Sequence, residues 1–469
     1  MAAARPRTKR TRTRRRLPEI PGPLLPTPGL PNWTRLAPTD IPQTLARMFP
    51  PETLRRFAEE SGVIERDRKV DPVALFWVLT LGFGVGLQHE LEQLRRAYRD
   101  FASTRLAYSS FYERFTPEMV RFLRLCLAHG LAELRQEPGS TLDQRLQRFH
   151  DVFLQDSSVV RLHAKLATKW PATRSRTPTA GVKVATLVSL RANGPRRVEL
   201  HGESTAEITT LKVGPWVKDA LLIMDLGFYK HQVFARIEEN GGSYVTRLKE
   251  NVNPLFVRSL TTHRGRAIEL DGKTWKEVEP RLQREVLDAE VELAFSRRAY
   301  RSHRHGDTLR SRMVVVWNEE GERYHAYLTN LPVEMLSAEE VAELYSVRWD
   351  IELLFKEIKG QYALDKLKTA NATAVEALIY VALLTLLVSR RINNLVREKA
   401  DPEYRVRYTQ QRWSILFREN SSRLLAGMLS YLGLATHTGS FFEVVAGAYT
   451  SEALDPHVHR ERFRSPWVR

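Results

Sequence analysis

Apolar residues recur at helical spacing from about Glu52 to Leu142. Leu54, Phe57, Val63 and Ile64 open the run, Val73–Gly86 is mostly apolar, and Leu91–Phe101 is amphipathic. Phe111, Phe115, Val120, Phe122, Leu123, Cys126 and Leu127 carry the pattern across Ser110–Glu133. This predicts an all-α domain over 52–145. Near Phe149 the period shortens. Val152–Val160, Val182–Leu190 and Arg197–His201 read as strands, the last two joined at the turn signal Ala192-Asn-Gly-Pro195. A helical stretch at Ala206–Asp219, a buried strand at Ala220–Asp225, a helix at His231–Glu239 and a strand at Ser243–Lys249 follow. The order over 146–249 is β-β-β-α-β-α-β, an α/β mixed sheet. Residues 250–332 read as an all-β insertion with strands at Ala267–Leu270, Thr274–Val278, Val291–Ala294, Arg312–Trp317 and Arg323–Thr329. Helices return at Ser337 and continue to about Ala448. Residues 333–395 complete the α/β core, and 396–469 form a helical C-terminal region.

Charge adds a partner to this outline. The 469 residues carry 72 Lys and Arg against 55 Asp and Glu, a formal +17 with a pI near 10.0. Met1–Arg16 holds eight basic residues and no acid, which leaves +9 on the rest. The like charges of 1–16 predict a disordered tail. Residues 17–51, with six prolines between Pro18 and Pro31, predict an extended linker or wrapping arm. Such a balance points to a polyanion, nucleic acid first and an acidic membrane second. A helical domain ahead of an α/β core in a basic chain suggests DNA recognition, with a structural bundle as the plainer reading. The single cysteine, Cys126, excludes a disulfide framework and Cys-based metal clusters. No secretory signal is visible, and the longest apolar run, Ala377–Val388, is shorter than the roughly 20 residues of a spanning helix. A soluble protein without a membrane partner is expected.

Candidate chemistry begins with two aspartates at strand ends, Asp156 and Asp225. A carboxylate there is exposed on a rigid frame, where sites in open α/β sheets form; alone, each is ordinarily a turn or cap residue. The stretch Ala342–Lys359 is sharper. Read as one helix at about 100° per residue, it places Tyr345, Arg348, Glu352 and Lys359 within an arc of about 60°. Leu344, Val347, Ile351, Leu354 and Ile358 form an adjoining apolar face, and Glu343, Asp350 and Glu357 fall on the far side. Glu352 alone among these acids stands among Tyr, Arg and Lys. Three carboxylates converging from two strand ends and a helix suit two Mg²⁺ ions, with Mn²⁺ as a substitute. Such ions support in-line phosphoryl displacement. Arg348, Lys356 and Lys359 can hold backbone phosphates, and Tyr345 a phosphate or base.

These residues resemble the DDE transposases of bacterial insertion sequences, the IS-four family. Its signature Tyr-x2-Arg-x3-Glu-x6-Lys is matched by Tyr345, Arg348, Glu352 and Lys359. Met224-Asp-Leu-Gly-Phe-Tyr229 resembles the family's second-aspartate motif, and Gln155-Asp-Ser157 its first. Tyr244–Asn251 is similar to the strand that usually follows. The resemblance spans about residues 50–450. It implies a ribonuclease H-like catalytic core over 146–249 and 333–395, with the all-β insertion before the last catalytic helix. It also implies Asp156, Asp225 and Glu352 as catalytic metal ligands and Tyr345, Arg348 and Lys359 on the DNA. The activity it implies is cleavage of transposon ends by phosphodiester hydrolysis, possible passage through a hairpin, and joining of the 3′ ends to target DNA. The partners implied are double-stranded DNA (terminal inverted repeats and target) and a second copy of the chain in a bacterial, nucleoid-associated cytoplasmic setting. Some family members hold a flipped base on an aromatic of the β insertion, a role open to Trp317 or Tyr324, each also readable as a buried strand aromatic. A dimer surface is guessed at Phe417–Tyr449.

Other clusters carry less. His303 with His305, and His457 with His459, lack nearby acids or cysteines for a zinc site and read as loops. Arg460, Arg462, Arg464, Trp467 and Arg469 can touch DNA or fray. Ser157 and Ser158 lack a His partner for nucleophilic catalysis. The rivals are a ribonuclease H-like nuclease without strand transfer and an inactive or domesticated DNA-binding relative. Terminal inverted repeats flanking the gene separate transposase from nuclease. Terminal repeat sequence, target preference and cellular activity are not encoded legibly.

Overall fold

The computed structural model describes residues 31–63, 70–84, 91–101, 107–136, 142–173, 179–263, 266–297, 306–319, 321–362, 364, 367, 369–405, 407–435 and 439–455. The basic tail, the first part of the proline-rich arm, both His-x-His pairs and the closing arginines lie outside them. Residues 31–39 do wrap. Trp33 is buried and stacks on Tyr404 at 5.1 Å, and the Arg35 N–H donates to the Lys399 carbonyl at 2.9 Å. The rest of the expected arm is α1 (Asp40–Met48), whose Ile41, Leu45 and Met48 are buried.

The helical pattern becomes α2 (Pro51–Ser61), α3 (Pro72–Gly84), α4 (Leu91–Phe101), α5 (Tyr108–Tyr112) and α6 (Pro117–Gln136). Asp71 caps α3, its Oδ1 accepting from the Val73 and Ala74 N–H groups at 2.7 and 2.9 Å. Every residue of α3 is buried, as its all-round apolar sequence requires.

The strands are β1 (Asp151–Leu162), β2 (Ala180–Ser189), β3 (Gly194–Gly202), β4 (Ala220–Met224), β5 (Ser243–Arg247), β6 (Leu255–Ser259), the short pair β7 (Thr262–His263) and β8 (Arg266–Ala267), β9 (Val286–Ser296), β10 (Gly306–Asn318) and β11 (Arg323–Thr329). Nine of them form one mixed sheet in the order β3-β2-β1-β4-β5-β11-β10-β9-β6. The β-rich segment is therefore a continuation of the sheet beyond β5 rather than a body of its own. β1 pairs antiparallel with β2 and parallel with β4, and β4 pairs parallel with β5.

Three local readings are corrected. Residues 206–219 form two 3₁₀ turns, Glu207–Thr209 and Pro215–Val217, so one of the expected helices is absent and the order there is β-β-β-β-α-β, with α7 (His231–Glu239) as its helix. Thr209 and Thr210 bond their hydroxyls back to the Ala206 and Glu207 carbonyls, which competes with helix propagation, and Gly214-Pro215 ends it. Thr274–Val278 is not a strand but the helical turn α8 (Trp275–Val278), set by a capping box between Thr274 and Glu277. The single helix expected over 342–359 is broken into α9 (Ala338–Tyr345), a 3₁₀ turn at Ser346–Arg348, and α10 (Trp349–Gly360). The Ser346 hydroxyl donates to the Glu343 carbonyl at 2.5 Å, at the point where the helix tightens.

After α10 come α11 (Ala372–Lys399), α12 (Pro402–Arg405), α13 (Gln410–Tyr431) and α14 (Phe441–Gly447). α11 is 28 residues long and apolar enough to cross a membrane, yet most of it is buried inside the chain. It packs on α3 and α6, and α13 packs on α3. The N- and C-terminal helices thus share one core on one face of the sheet, so the boundaries read at 145 and 396 run through it. The opposite face of the sheet carries a second core with α7 and the β9–β10 ladder.

Candidate active site

Strand alternation selects the face. Val152 and Leu154 of β1, like Leu221 and Ile223 of β4, point into the helical core, whereas Phe153, Leu222 and Met224 point into the other. Gln155 pairs with Met224, so one position further along each parallel strand Asp156 and Asp225 stand side by side. Both are in phase with the helical face, where α10 packs on β1. The Asp156 Oδ1 accepts from the Ser157 N–H at 2.7 Å. Asp225 leads into a 3₁₀ turn closed by the Phe228 N–H on the Asp225 carbonyl at 3.0 Å.

The expected apolar face survives the break: Leu344 on α9, Val347 in the 3₁₀ turn, and Ile351, Leu354 and Ile358 on α10 are all buried. The Arg348 Nη2 donates to Glu352 Oε1 at 2.6 Å, one helical turn away, and its Nε lies 3.9 Å from Asp225 Oδ1. One guanidinium therefore spans the carboxylates of the sheet and the helix. The same group lies 5.9 Å from the centre of the Tyr345 ring, which in turn packs on Tyr327 at 5.3 Å. Lys356 is exposed and Lys359 half-buried, one and two turns past Glu352 on the same side of α10.

The electrostatics follow from burial. The Asp156 carboxyl is pushed up to about 7, chiefly by desolvation, with Asp225 and Glu207 adding repulsion and the Ser157 N–H and Arg348 opposing. Burial pulls Arg348 down, but Asp225, Tyr345 and Glu352 outweigh it and leave its pKa raised. Burial holds the Tyr345 phenol up at about 12. Asp225 follows the end of β4 as expected, but Asp156, one residue past the last parallel pair Gln155–Met224, lies in the middle of β1, which continues to Leu162. Two adjoining carboxylates there, one of them largely desolvated, favour a cation, and all-oxygen donors suit a hard divalent ion. Among the described residues, no three acids, histidines or cysteines are gathered closely enough to hold a metal. Arg348 stands between Asp225 and Glu352.

The structure brings Tyr345, Arg348, Asp225 and Glu352 together, with Asp156 beside Asp225. It does not bring Trp317 to them. Trp317 is half-buried on β10, edge-on to its cross-strand partner Tyr324 at 4.8 Å. β10 is three strands from β4, roughly 14 Å at the usual strand spacing. Tyr324 is engaged through its hydroxyl with the Leu282 and Arg284 carbonyls. The guessed dimer surface is largely internal, because Phe417, Leu424, Leu425 and Tyr449 are buried in the chain's own core.

Three neighbours escaped the sequence reading. Trp349, next to Arg348, is 54% exposed, an unusual position for so large an apolar ring. Arg247 ends β5 opposite Tyr327, and its charge acts on Tyr345. Glu207 accepts from the Ser157 hydroxyl at 2.6 Å. A tryptophan inside the four-residue signature was a readable signal. Glu207 was hidden in a stretch read as helix.

Comparison with known proteins agrees with the motifs. Residues 147–388 match the family model described as a transposase DDE domain. The transposase for insertion sequence element IS231F of Bacillus thuringiensis subsp. israelensis is 23% identical over 379 residues, covering 74% of this chain and 78% of the relative. That for IS1151 of Clostridium perfringens is 21% identical, covering 75% and 80%. A putative transposase, InsL, for IS186A of Escherichia coli strain K12 is 33% identical over 92 residues, 20% of this chain and 24% of the relative. The paired aspartates Asp156 and Asp225, the Tyr-Arg-Glu signature of residues 345–352 and these matches together place the chain in the DDE transposase family of bacterial insertion sequences.

Proposed function

We propose that this DNA transposase cuts the ends of its element by divalent-metal-dependent hydrolysis and joins the freed 3′ ends to target DNA, with Asp156, Asp225 and Glu352 as metal ligands on a ribonuclease H-like core. The observation that carries the reading is the single Arg348 guanidinium, bonded to Glu352 at 2.6 Å and 3.9 Å from Asp225, with Asp156 one residue past the last pair between β1 and the strand that leads into Asp225. Two Mg²⁺ ions, or Mn²⁺, bound by those oxygens would supply an activated water or 3′-hydroxyl and stabilise the leaving oxygen. The chain's own groups do the remainder. β1 and β4 fix the two aspartates on a buried frame, and α10 delivers Glu352 across from them. Arg348 is drawn toward phosphate as its carboxylates are satisfied, and Lys356 and Lys359 extend that cationic line along the DNA backbone. Tyr345 offers its phenol to a phosphate or base. Hydrolysis leaves a 3′-hydroxyl; its attack on the opposite strand cuts that strand and closes a hairpin at the element end. A second water opens the hairpin and restores the 3′-hydroxyl, and attack of that hydroxyl on a target phosphodiester displaces a target 3′-oxygen and completes joining. The substrate is double-stranded DNA carrying the terminal inverted repeats, held by two copies of the chain in the bacterial cytoplasm. Helices of 52–145 contribute to DNA recognition.

The test uses the full chain, a duplex carrying one element end, and Mg²⁺. The parent nicks at the end, and Glu352→Gln lowers the rate by at least about a thousandfold while still retarding the duplex on a gel. Cleavage by Glu352→Gln at the parent's rate would remove Glu352 from the reaction.

A further inference from the structure

Behind the two aspartates lies a third acid that the reaction scheme leaves unused. Strand alternation turns Ser157 to the face opposite Asp156, and its hydroxyl donates to Glu207 Oε1 at 2.6 Å. The other oxygen of the same carboxylate sits at the turn that follows Asp225. A Cβ added to Gly227 would overlap Glu207 Oε2 and lie 3.0 Å from its Cδ. Gly227 does not have a positive φ, so its lack of a side chain serves space and not backbone conformation. The loop bearing Glu207 is itself tied down. The buried Lys183 donates to the Thr205 carbonyl at 2.5 Å, and the Glu203 N–H donates to the Gly181 carbonyl at 2.9 Å. One carboxylate is thus wedged between β1 at Ser157, next to Asp156, and the turn of Asp225, on the side away from Arg348 and Glu352.

We infer that Glu207 is a positioning residue, a latch that sets the spacing of Asp156 and Asp225 through Ser157 on one side and the side-chain-free Gly227 on the other. The inference rests on the proposed role of the two aspartates as metal ligands. Groups that orient such ligands without touching the ion ordinarily control affinity strongly. Hydrogen bonding and shape carry the latch. A glutamine serves nearly as well as the glutamate, whereas a methyl on Gly227 expels the carboxylate.

The experiment is Mn²⁺ binding to the full-length, DNA-free protein, followed by electron paramagnetic resonance. Glu207→Ala and Gly227→Ala are each expected to weaken binding about tenfold, and Glu207→Gln to restore most of what Glu207→Ala loses. In the Glu207→Ala background, Gly227→Ala is expected to cost little more, because the space is then vacant. Equal losses in Glu207→Gln and Glu207→Ala would make the charge itself the active feature and overturn the latch. So would an unchanged penalty of Gly227→Ala in both backgrounds. Asp156→Asn with Asp225→Asn tests the underlying site separately: if the parent takes up no Mn²⁺, or the double variant takes up as much, the metal-ligand reading fails. Hydrogen exchange then still decides the latch. The Phe228 and Tyr229 amides, which close the Asp225 turn, exchange several-fold faster in Glu207→Ala than in Glu207→Gln if it exists, and equally if it does not.

Discussion

Tryptophan 349 and glutamate 238 show how a single side chain's surroundings decide what it does. Trp349 is solvent-exposed beside a guanidinium that bridges two acids, whereas Trp317 is half-buried against Tyr324. Trp349→Ala should weaken binding of an element end by about 1–3 kcal/mol, the usual worth of one base on an aromatic platform, and Trp317→Ala by less. A gel-shift titration in Ca²⁺ checks this, and equal losses for both would count against Trp349. Glu238 is pushed up to about 7, first by burial and then by Glu239, against a hydrogen bond from Tyr244. Its folded pKa lies above the ordinary carboxyl value, so the folded state binds more protons between about pH 4.5 and 7 and loses stability as pH rises through that window. Glu238→Gln should therefore raise the melting temperature at pH 8 and leave it nearly unchanged at pH 4. A gain of equal size at both pH values would refute the assignment. At this scale the sequence was legible where chemistry forces a pattern. Asp156 interrupts the apolar run of β1, Asp225 follows the apolar β4, and Glu352 sits among cations. It was silent on Glu207, whose importance depends on a glycine twenty residues later that vacates space for it.

Elements were legible where one face is apolar and illegible where local hydrogen bonds compete. The buried stripe of Ile351, Leu354 and Ile358 places α10 correctly, but Ser346 tightens the preceding turn, and a uniform rotation per residue cannot foresee that. Thr274–Val278 has strand-like composition, but the capping box between Thr274 and Glu277 makes it a helical turn. α10 is also fixed from behind. Glu357 is fully buried and held by Arg390 of α11, the Tyr362 hydroxyl at 2.7 Å and Gln410 at 3.0 Å. Burial raises the Glu357 pKa even with Arg390 beside it. Arg390→Ala strands that carboxylate and should cost about 3–5 kcal/mol of stability, with a loss of cleavage rate as Glu352 loses its bearing. Arg390→Met paired with Glu357→Leu should recover most of the stability in a urea titration. Failure of the pair to recover would show that the ion pair itself, and not the orphaned charge, sets the cost.

At the scale of the whole molecule, periodicity told which faces are apolar but not which faces meet. The sequence suggested an N-terminal helical domain and a helical C-terminal region, and the described helices on both sides of the sheet segment instead share one core. Trp33 lies on Tyr404, and the Thr385 hydroxyl of α11 donates to the Thr80 carbonyl of α3 at 2.7 Å across 305 residues of sequence. A chain ending at residue 371 should leave α1–α6 open to limited proteolysis that the full chain resists, although every residue of those helices is present. Protection of the shortened chain would mean that the N-terminal helices fold alone. The arrangement also bears on how the protein is made. α3 leaves the ribosome hundreds of residues before the helix that covers it, and α11, apolar enough for a bilayer, emerges among the last elements. Until then α3 has only its early neighbours α2 and α4 to cover it, and the final helices arrive less as an appendage than as the lid that ends that exposure.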